Sequence, residues 1–129
     1  METKDKIIFI VEDSDIISDL LERVINNCEG LIGRAFATGE SMLEAIEKGA
    51  PDCLLLDYYL DSTKLGHMNG EQVLQKLQIM NIKVPVVMLT GLKDITKLKR
   101  LEYLNVIEVL DKDSHDIFDT VIESIKQAI

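Results

Sequence analysis

The sequence predicts an α/β protein with a three-layer, doubly wound (βα)5 fold, in which a five-stranded parallel sheet lies between helices. Two observations carry this prediction. Short, continuous apolar runs of branched residues are typical of strands buried on both faces. Segments whose apolar residues recur at helical spacing follow these runs, five times over. Such alternation predicts parallel strands with helices packed on both faces.

The first half of the chain supplies three of the predicted strands. In chain order we predict a strand at 7–11, a helix over 16–25, a weaker strand at 31–37, a helix over 40–48 and a strand at 52–56. Ser14 or Asp13 can cap the first helix, because their side-chain oxygens accept backbone N–H bonds. Gly49 followed by Pro51 is a common arrangement at a helix end.

The second half continues the pattern after an irregular stretch at 58–69. We predict a helix marked by Val73, Leu74, Leu77 and Met80, a strand at 84–89, a helix over 95–104, a strand at 106–110 and a final helix from Ile117 to Ile125. Ser114 or Asp113 can cap the final helix. No repeat, low-complexity tract or linker interrupts the chain, so residues 1–129 are expected to form a single domain.

Composition limits the function classes. The 129 residues are 47% hydrophobic and carry a net charge of −9, which argues against direct binding of DNA or RNA. No apolar stretch approaches the ~20 residues of a membrane span, and the first residues lack a secretory signal. The two cysteines, Cys28 and Cys53, fit neither a metal motif nor a disulfide framework. We therefore expect a cytoplasmic protein that does not contact membranes.

Polar residues follow four of the buried strands. Glu12 and Asp13 follow the first strand, Asp57 the third, Thr90 the fourth and Lys112 the fifth. In an open parallel sheet these ends share one rim, where ligands bind. Three carboxylates there would repel one another without a cation, and Mg²⁺ prefers such oxygen ligands.

This set of residues suits phosphoryl transfer. A carboxylate such as Asp57 can attack phosphorus and form an acyl phosphate. The transferred group needs cations and hydrogen-bond donors near its oxygens. Mg²⁺ and Lys112 would supply the positive charge, and the Thr90 hydroxyl a hydrogen bond.

Over nearly its whole length the chain resembles the receiver domain of two-component response regulators. The matching segments are Ile10-Val11-Glu12-Asp13, Leu54-Leu55-Leu56-Asp57, Met68-Asn69-Gly70, Pro85-Val86-Val87-Met88-Leu89-Thr90-Gly91 and Val109-Leu110-Asp111-Lys112. The separation of Thr90 from Lys112, 22 positions, is also typical of the family. The resemblance implies a flavodoxin-like fold with strand order 2-1-3-4-5.

The resemblance also implies a function. Asp57 would accept a phosphoryl group from a histidine kinase or a histidine phosphotransfer protein, and Thr90 and Lys112 would contact that group. The Mg²⁺ ligands would be Glu12, Asp13, Asp57 and the backbone carbonyl of Tyr59. The chain would then be a signalling phosphoacceptor and not an enzyme, with only self-phosphorylation and slow self-dephosphorylation as its own chemistry.

Two departures from the family pattern lie beside the acceptor. Gly70 stands 13 positions after Asp57, several more than the pattern has, and the extra residues fall within 61–67. They form either a tolerated surface insertion or a flap over Asp57; His67 among them is not expected to bind metal. The bulky residues Tyr59 and Leu92 stand where family side chains influence water attack, which suggests slow self-dephosphorylation.

Two further departures lie near Lys112. Val109 replaces an aromatic residue that many receivers rotate inward, so coupling is expected to pass through Thr90 and its loop, with Tyr103 as a substitute aromatic. Asp113 replaces the usual proline after Lys112, so we expect a trans peptide bond, because a cis bond before a non-proline residue costs about 2.5–4 kcal/mol. Asp113 could also pair with Lys112 and compete with the phosphoryl group.

Several readings stay open at the level of sequence. The basic fourth helix and acidic fifth helix are either solvated faces or part of a homodimer through the fourth helix, fifth strand and fifth helix. A degenerate receiver could act as an interaction module without phosphorylation. An aspartate-nucleophile phosphatase is disfavoured because Tyr59 stands where a second Asp is expected. An FMN-binding flavodoxin is disfavoured because Glu12 and Asp13 replace a phosphate loop.

Overall fold

A computed structural model describes residues 4–60, 67–91 and 104–129, and these ranges contain five strands and four helices. The strands are β1 (Lys6–Val11), β2 (Leu31–Phe36), β3 (Cys53–Asp57), β4 (Val86–Thr90) and β5 (Val106–Asp111). The helices are α1 (Asp15–Asn26), α2 (Gly39–Lys48), α3 (Gly70–Ile79) and the C-terminal helix (Ile117–Ala128). Apart from Leu104, the helix predicted over 95–104 lies outside the described residues, as do Leu92, Tyr103 and 61–66 of the insertion.

The five strands form one parallel sheet in the order β2-β1-β3-β4-β5, which confirms the predicted fold class and strand order. The register aligns the carboxyl ends of neighbouring strands. Val11 pairs with Leu56, and Asp57 at the end of β3 pairs with Leu89. Consequently the residues that follow the strands meet at one edge of the sheet.

Each face of the sheet carries its own hydrophobic core, because successive side chains of a strand point to opposite faces. On one face, Phe9 and Val11 of β1 pack with the apolar residues of α2 and α3. On the other, Ile8 and Ile10 pack with those of α1 and the C-terminal helix. β3 and β4 are buried along their whole length, as expected for central strands covered on both sides.

An irregularity in β5 changes which residues face each core. The partner of Val86 is Val106, but the partner of Val87 is Glu108, so Ile107 is an extra residue in the strand and is 50% exposed. Val109 consequently packs against the core under α2 and α3. On the other face, Glu108 accepts a hydrogen bond from the buried hydroxyl of Ser124, at 2.7 Å.

The helix starts agree with the predictions in one case and not in another. Ser14 caps α1, and its Oγ accepts the backbone N–H of Ile17. At the C-terminal helix the prediction of Ser114 or Asp113 was wrong, since Asp116 occupies the cap position without a side-chain bond to the helix. The reason is local competition, because the Ser114 hydroxyl and the Asp116 carboxylate hydrogen-bond to each other.

Side chains of α1 cover the outer edge of β2, which would otherwise present unpaired backbone groups. Asn26 accepts the N–H of Gly33 at 2.8 Å and donates to the Gly33 carbonyl at 3.5 Å. Glu22 accepts the N–H of Ala35 at 3.0 Å. This edge of the sheet is therefore closed to another strand. In the described part of the chain, none of the helices has the length and apolar character needed to cross a bilayer.

Candidate functional site

The ends of four strands meet at the carboxyl edge of the sheet, and backbone hydrogen bonds beyond the strands fix their positions. Glu12 N–H donates to the Phe36 carbonyl at 3.1 Å, directly after β1. Lys112 N–H donates to the Thr90 carbonyl at 2.8 Å, directly after β5. Since Asp57 ends β3 beside β4, the strands bring these polar residues to one rim.

Three carboxylates form an acidic cluster at this rim. One oxygen each from Glu12, Asp13 and Asp57 lies within 4.8 Å of the others. Glu12 and Asp57 are both only 1% exposed, whereas Asp13 is exposed. Buried carboxylates at this separation are costly unless cations neutralise them. The donor set, all oxygens with one side open to solvent, fits a hard divalent cation such as Mg²⁺.

Lys112 links two members of the acidic cluster. Its Nζ lies 2.7 Å from Glu12 Oε1 and 3.1 Å from Asp57 Oδ2. Backbone N–H groups hold the other carboxylate oxygens: Ser14 N–H donates to Glu12 Oε2 at 3.2 Å and Tyr59 N–H to Asp57 Oδ1 at 3.1 Å. Both carboxylates are therefore fixed in orientation by one cation and one amide each.

Burial and charge perturb the proton equilibria of the site. Burial raises the pKa of Glu12 to about 7, and the neighbouring Asp57 adds to the rise while Lys112 opposes it. For Lys112, burial acts to lower the pKa, but the hydrogen bond to Glu12 and the attraction of Asp57 raise it by more, so its pKa lies above the ordinary value. Lys112 is therefore a permanent cation at this edge.

Thr90 completes the rim with a buried hydroxyl. Its side chain is 0% exposed, and no group in the described residues forms a hydrogen bond with its Oγ1. A buried polar atom without a partner costs roughly 1–3 kcal/mol, so it is uncommon outside functional sites. The hydroxyl can accept or donate to a group that enters the site.

Tyr59, two positions after Asp57, is half-exposed to solvent. Its side chain is 52% exposed and packs edge to face against Tyr58, with the ring centroids 4.9 Å apart. Its N–H is used by Asp57, as above, and the role of its carbonyl as a metal ligand stays a prediction. The slowing of dephosphorylation by Tyr59 and Leu92 also stays a prediction, and Leu92 is not among the described residues.

The segment after Lys112 differs in one respect from its predicted behaviour. The described residues contain no cis peptide bond, so the Lys112–Asp113 bond is trans, as expected. The suggested pairing of Asp113 with Lys112 is absent; the ion pairs of Lys112 in the described residues are those with Glu12 and Asp57. Asp113 N–H donates instead to Asp111 Oδ1 at 2.9 Å.

The end of the insertion is tied down beside the site. Both Glu40 oxygens accept the Met68 N–H, at 3.1 and 3.4 Å. His67 and Met68 line a cavity of about 300 Å³ together with Asp13 and Thr38. Among the described residues, the group of side chains that could hold a metal ion consists of Glu12, Asp13 and Asp57, without His67. Whether residues 61–67 form a flap stays an open prediction.

Sequence reasoning missed the groups that orient the carboxylates. The N–H groups of Ser14 and Tyr59 belong to every residue alike, so no pattern in one sequence singles them out. The clamp of Glu40 on Met68 joins positions that are 28 apart and also leaves no sequence signal. The hydrogen bond from Asp113 N–H to Asp111 Oδ1 did have a sequence signal, because an aspartate side chain often accepts the N–H of the residue two positions later.

Comparisons with known proteins identify the class of this fold and site. The family model of the response regulator receiver domain matches residues 8–122. The chain therefore belongs to the response regulator receiver domain family, of two-component systems.

Individual relatives agree with this assignment. The chain is 33% identical over 86 residues to a protein-glutamate methylesterase/protein-glutamine glutaminase of Treponema denticola, which covers 66% of this chain and 22% of that protein. It is similar to the NtrX receiver domain of Brucella abortus, with a TM-score of 0.80, 25% identity and coverage of 94% and 96%. The receiver domain of Francisella response regulator 1452 has a TM-score of 0.82, 17% identity and 96% coverage of both chains, and shows the fold alone.

The chain spans about a fifth of the length of the methylesterase it matches. That catalytic activity is a property of the whole relative, and the match of 86 residues does not assign it to this chain.

Proposed function

We propose that this receiver domain is a phosphoacceptor that takes a phosphoryl group on Asp57 in a Mg²⁺-dependent reaction. One observation supports this above the others: the buried Asp57 carboxylate lies within 4.8 Å of Glu12 and Asp13 and is paired with Lys112 at 3.1 Å. A structural aspartate would not need two further carboxylates and a lysine around it.

The proposed Mg²⁺ ligands are Glu12, Asp13, Asp57 and the backbone carbonyl of Tyr59. When bound, the cation would neutralise the acidic cluster and the charge of the phosphoryl oxygens. The nearness of the three carboxylates and the oxygen-only donor set support this assignment.

The residues of the chain have distinct roles in the proposed transfer. An Asp57 oxygen attacks phosphorus, the P–N bond of the donor phosphohistidine breaks, and its electron pair stays on the imidazole nitrogen, which takes up a proton from solvent. Lys112 exchanges its contact with Asp57 for one with a phosphoryl oxygen, and the unpartnered Thr90 hydroxyl contacts another. Burial of Asp57 slows attack by water on the product.

We propose that the donor is a histidine kinase or a histidine phosphotransfer protein, and that residues 1–129 act as a single signalling domain without further enzymatic activity. Two free cysteines, Cys28 and the buried Cys53, support a reducing compartment such as the cytoplasm. The net charge of −9 supports partners other than nucleic acids and membranes.

A homodimer through the fourth helix, β5 and the C-terminal helix is a further proposal. The half-exposed Ile107 at the edge strand β5 supports it. Sedimentation with and without beryllofluoride, a phosphoryl mimic, tests it. A monomer under both conditions at high concentration would exclude this dimer.

Intact mass after incubation with acetyl phosphate and Mg²⁺ tests the proposed function. We expect an adduct of one phosphoryl group, about 80 Da, that requires Mg²⁺ and is absent in Asp57→Asn. The matched control is Asp52→Asn at the opposite end of β3, where Asp52 accepts the N–H of Ile7. An adduct in Asp57→Asn would disprove the acceptor assignment. Absence of both adduct and Mg²⁺ binding in the wild type would favour the phosphorylation-independent interaction module.

A further inference from the structure

A hydrogen bond to a side chain closes the loop that carries Lys112, in which Asp113 stands in place of the usual proline. Asp111 ends β5, where it pairs with Thr90, and its Oδ1 accepts the N–H of Asp113 at 2.9 Å. Its carbonyl accepts the N–H of Ser114 at 3.1 Å. Two hydrogen bonds to Asp111, one at its side chain and one at its carbonyl, therefore close a short turn that contains Lys112. We call this arrangement the Asp111 turn.

Lys112 needs such support because its contacts are made far from its backbone. A lysine side chain has a flexible four-carbon stem, and fixing it costs about 2 kcal/mol of rotamer entropy. The backbone N–H of Lys112 donates to the Thr90 carbonyl on the neighbouring strand β4. On the C-terminal side, the Asp111 turn holds the first residues after Lys112, and the Ile117 N–H then donates to the Ser114 carbonyl.

We propose that Asp111 is a positioning residue that holds Lys112 against Glu12 and Asp57, and later against the phosphoryl group. The phosphoryl part of this inference rests on the proposed function; the positioning of Lys112 against the two carboxylates does not. Asp111 itself contacts neither carboxylate through any described bond, so it acts through the backbone of the turn.

Three variants isolate the Asp111 turn. Asp111→Ala removes the acceptor, whereas Asp111→Asn keeps an oxygen that can accept the same N–H. Asp113→Ala is the matched control, because it removes the same charge from the same loop but leaves the backbone N–H in place. Only Asp111→Ala should loosen the contacts of Lys112 with Glu12 and Asp57.

The first readout does not depend on phosphorylation. The rate at which acetic anhydride labels Lys112, followed by peptide mass mapping, reports how firmly Nζ is held by the two carboxylates. We expect Asp111→Ala to raise this rate roughly three- to tenfold, the range that one hydrogen bond represents. Asp111→Asn and Asp113→Ala should label like the wild type. Equal labelling of Asp111→Ala and the wild type would overturn the positioning role.

The second readout tests the phosphoryl part. Asp111→Ala should weaken beryllofluoride binding by a similar factor without weakening Mg²⁺ binding, and the effect should vanish in a Lys112→Ala background. A loss of Mg²⁺ affinity together with beryllofluoride affinity would mean general disruption and would contradict the inference. If the wild type itself binds no beryllofluoride, the proposed function fails, and the labelling experiment alone decides the role of Asp111.

Discussion

Thr90 and Glu12 are the two residues whose buried polar atoms depend most on what enters the site. The Thr90 hydroxyl is fully buried without a hydrogen-bond partner in the described residues. Glu12 is 1% exposed and relies on Lys112 and the Ser14 N–H. Burial of both groups therefore costs stability in the unliganded protein, and the Thr90 hydroxyl gains a partner only when a ligand binds.

Substituting Thr90→Val should separate stability from function. The valine has the same shape without the unpartnered hydroxyl, so we expect the free energy of unfolding to rise by about 1 kcal/mol in urea titrations. The rate of phosphorylation by acetyl phosphate, followed by intact mass, should fall at least tenfold.

Thr120→Val is the matched control, because the Thr120 hydroxyl donates to the Asp116 carbonyl at 3.1 Å on the C-terminal helix. The Thr120→Val variant should lose about 0.5–1 kcal/mol of unfolding free energy and should be phosphorylated at the wild-type rate. A destabilised Thr90→Val protein would show that the hydroxyl already has a partner in the unliganded state.

The raised pKa of Glu12, about 7 and due first to burial, makes the stability of the metal-free protein depend on pH. The folded state binds this proton more tightly than the unfolded state, whose ordinary value is 4.5. The resulting stabilisation is fully present below about pH 4.5 and is lost as the pH rises to about 7. We expect a loss on the order of 1–3 kcal/mol across this window.

Urea unfolding at a series of pH values in the presence of a chelator measures this loss. Glu12→Gln should have a flatter profile between pH 4.5 and 7 than the wild type. Glu29→Gln, at an exposed position beyond α1, changes the same formal charge and should keep the wild-type slope. Parallel profiles for Glu12→Gln and the wild type would assign the pH dependence to other groups.

At the scale of the elements, α3 begins in close contact with the end of β3, where Asp57 lies. Gly70 begins α3 and its N–H donates to the Tyr58 carbonyl at 3.0 Å. A Cβ at this position would lie 2.7 Å from Tyr58 Cα and 2.9 Å from the Asp57 carbonyl oxygen. The helix can approach the end of β3 this closely only because residue 70 has no side chain.

Gly70→Ala should therefore displace Tyr58 and the carbonyl of Asp57. We expect a loss of roughly 1–3 kcal/mol in unfolding free energy, because backbone atoms cannot move aside as a flexible side chain can. Gly49→Ala is the control, since a Cβ there meets nothing within 4 Å, and its change should stay within about 0.5 kcal/mol. Equal stability of the two variants would contradict the close packing of α3 on β3.

At the scale of the whole molecule, three of the 23 acidic residues meet in the acidic cluster. A cation that binds the folded but not the unfolded chain stabilises the fold by mass action, by about 2.7 kcal/mol at a concentration one hundred times its Kd. Mg²⁺ should therefore raise the Tm by several degrees, in a background of KCl that screens nonspecific effects.

Thermal unfolding at increasing Mg²⁺ concentration measures this effect. Asp13→Asn should lose most of the Mg²⁺-dependent rise while its Tm in chelator stays close to that of the wild type, because Asp13 is exposed. Asp119→Asn, exposed on the C-terminal helix, should retain the full rise. If Asp13→Asn and Asp119→Asn respond alike to Mg²⁺, the stabilisation does not come from the acidic cluster.

The sequence by itself determined the architecture of this protein. Branched apolar runs and helical spacing are local signals, and they predicted all five strands, the four described helices and the parallel sheet. Because parallel strands end at one edge, the same signals also predicted that Glu12, Asp13, Asp57, Thr90 and Lys112 would share a rim. Their residue types indicated the chemistry before any distance was known.

Only the tertiary structure decided how these residues are held. The Lys112 contact with Asp57 joins positions 55 apart, and it depends on β3 and β5 ending at the same edge of the sheet. The extra residue at Ile107 and the close packing of Gly70 also depend on neighbouring strands and helices. Local sequence patterns specify which face of an element is apolar, whereas these contacts depend on how elements distant in sequence pack together, so the sequence alone could not provide them.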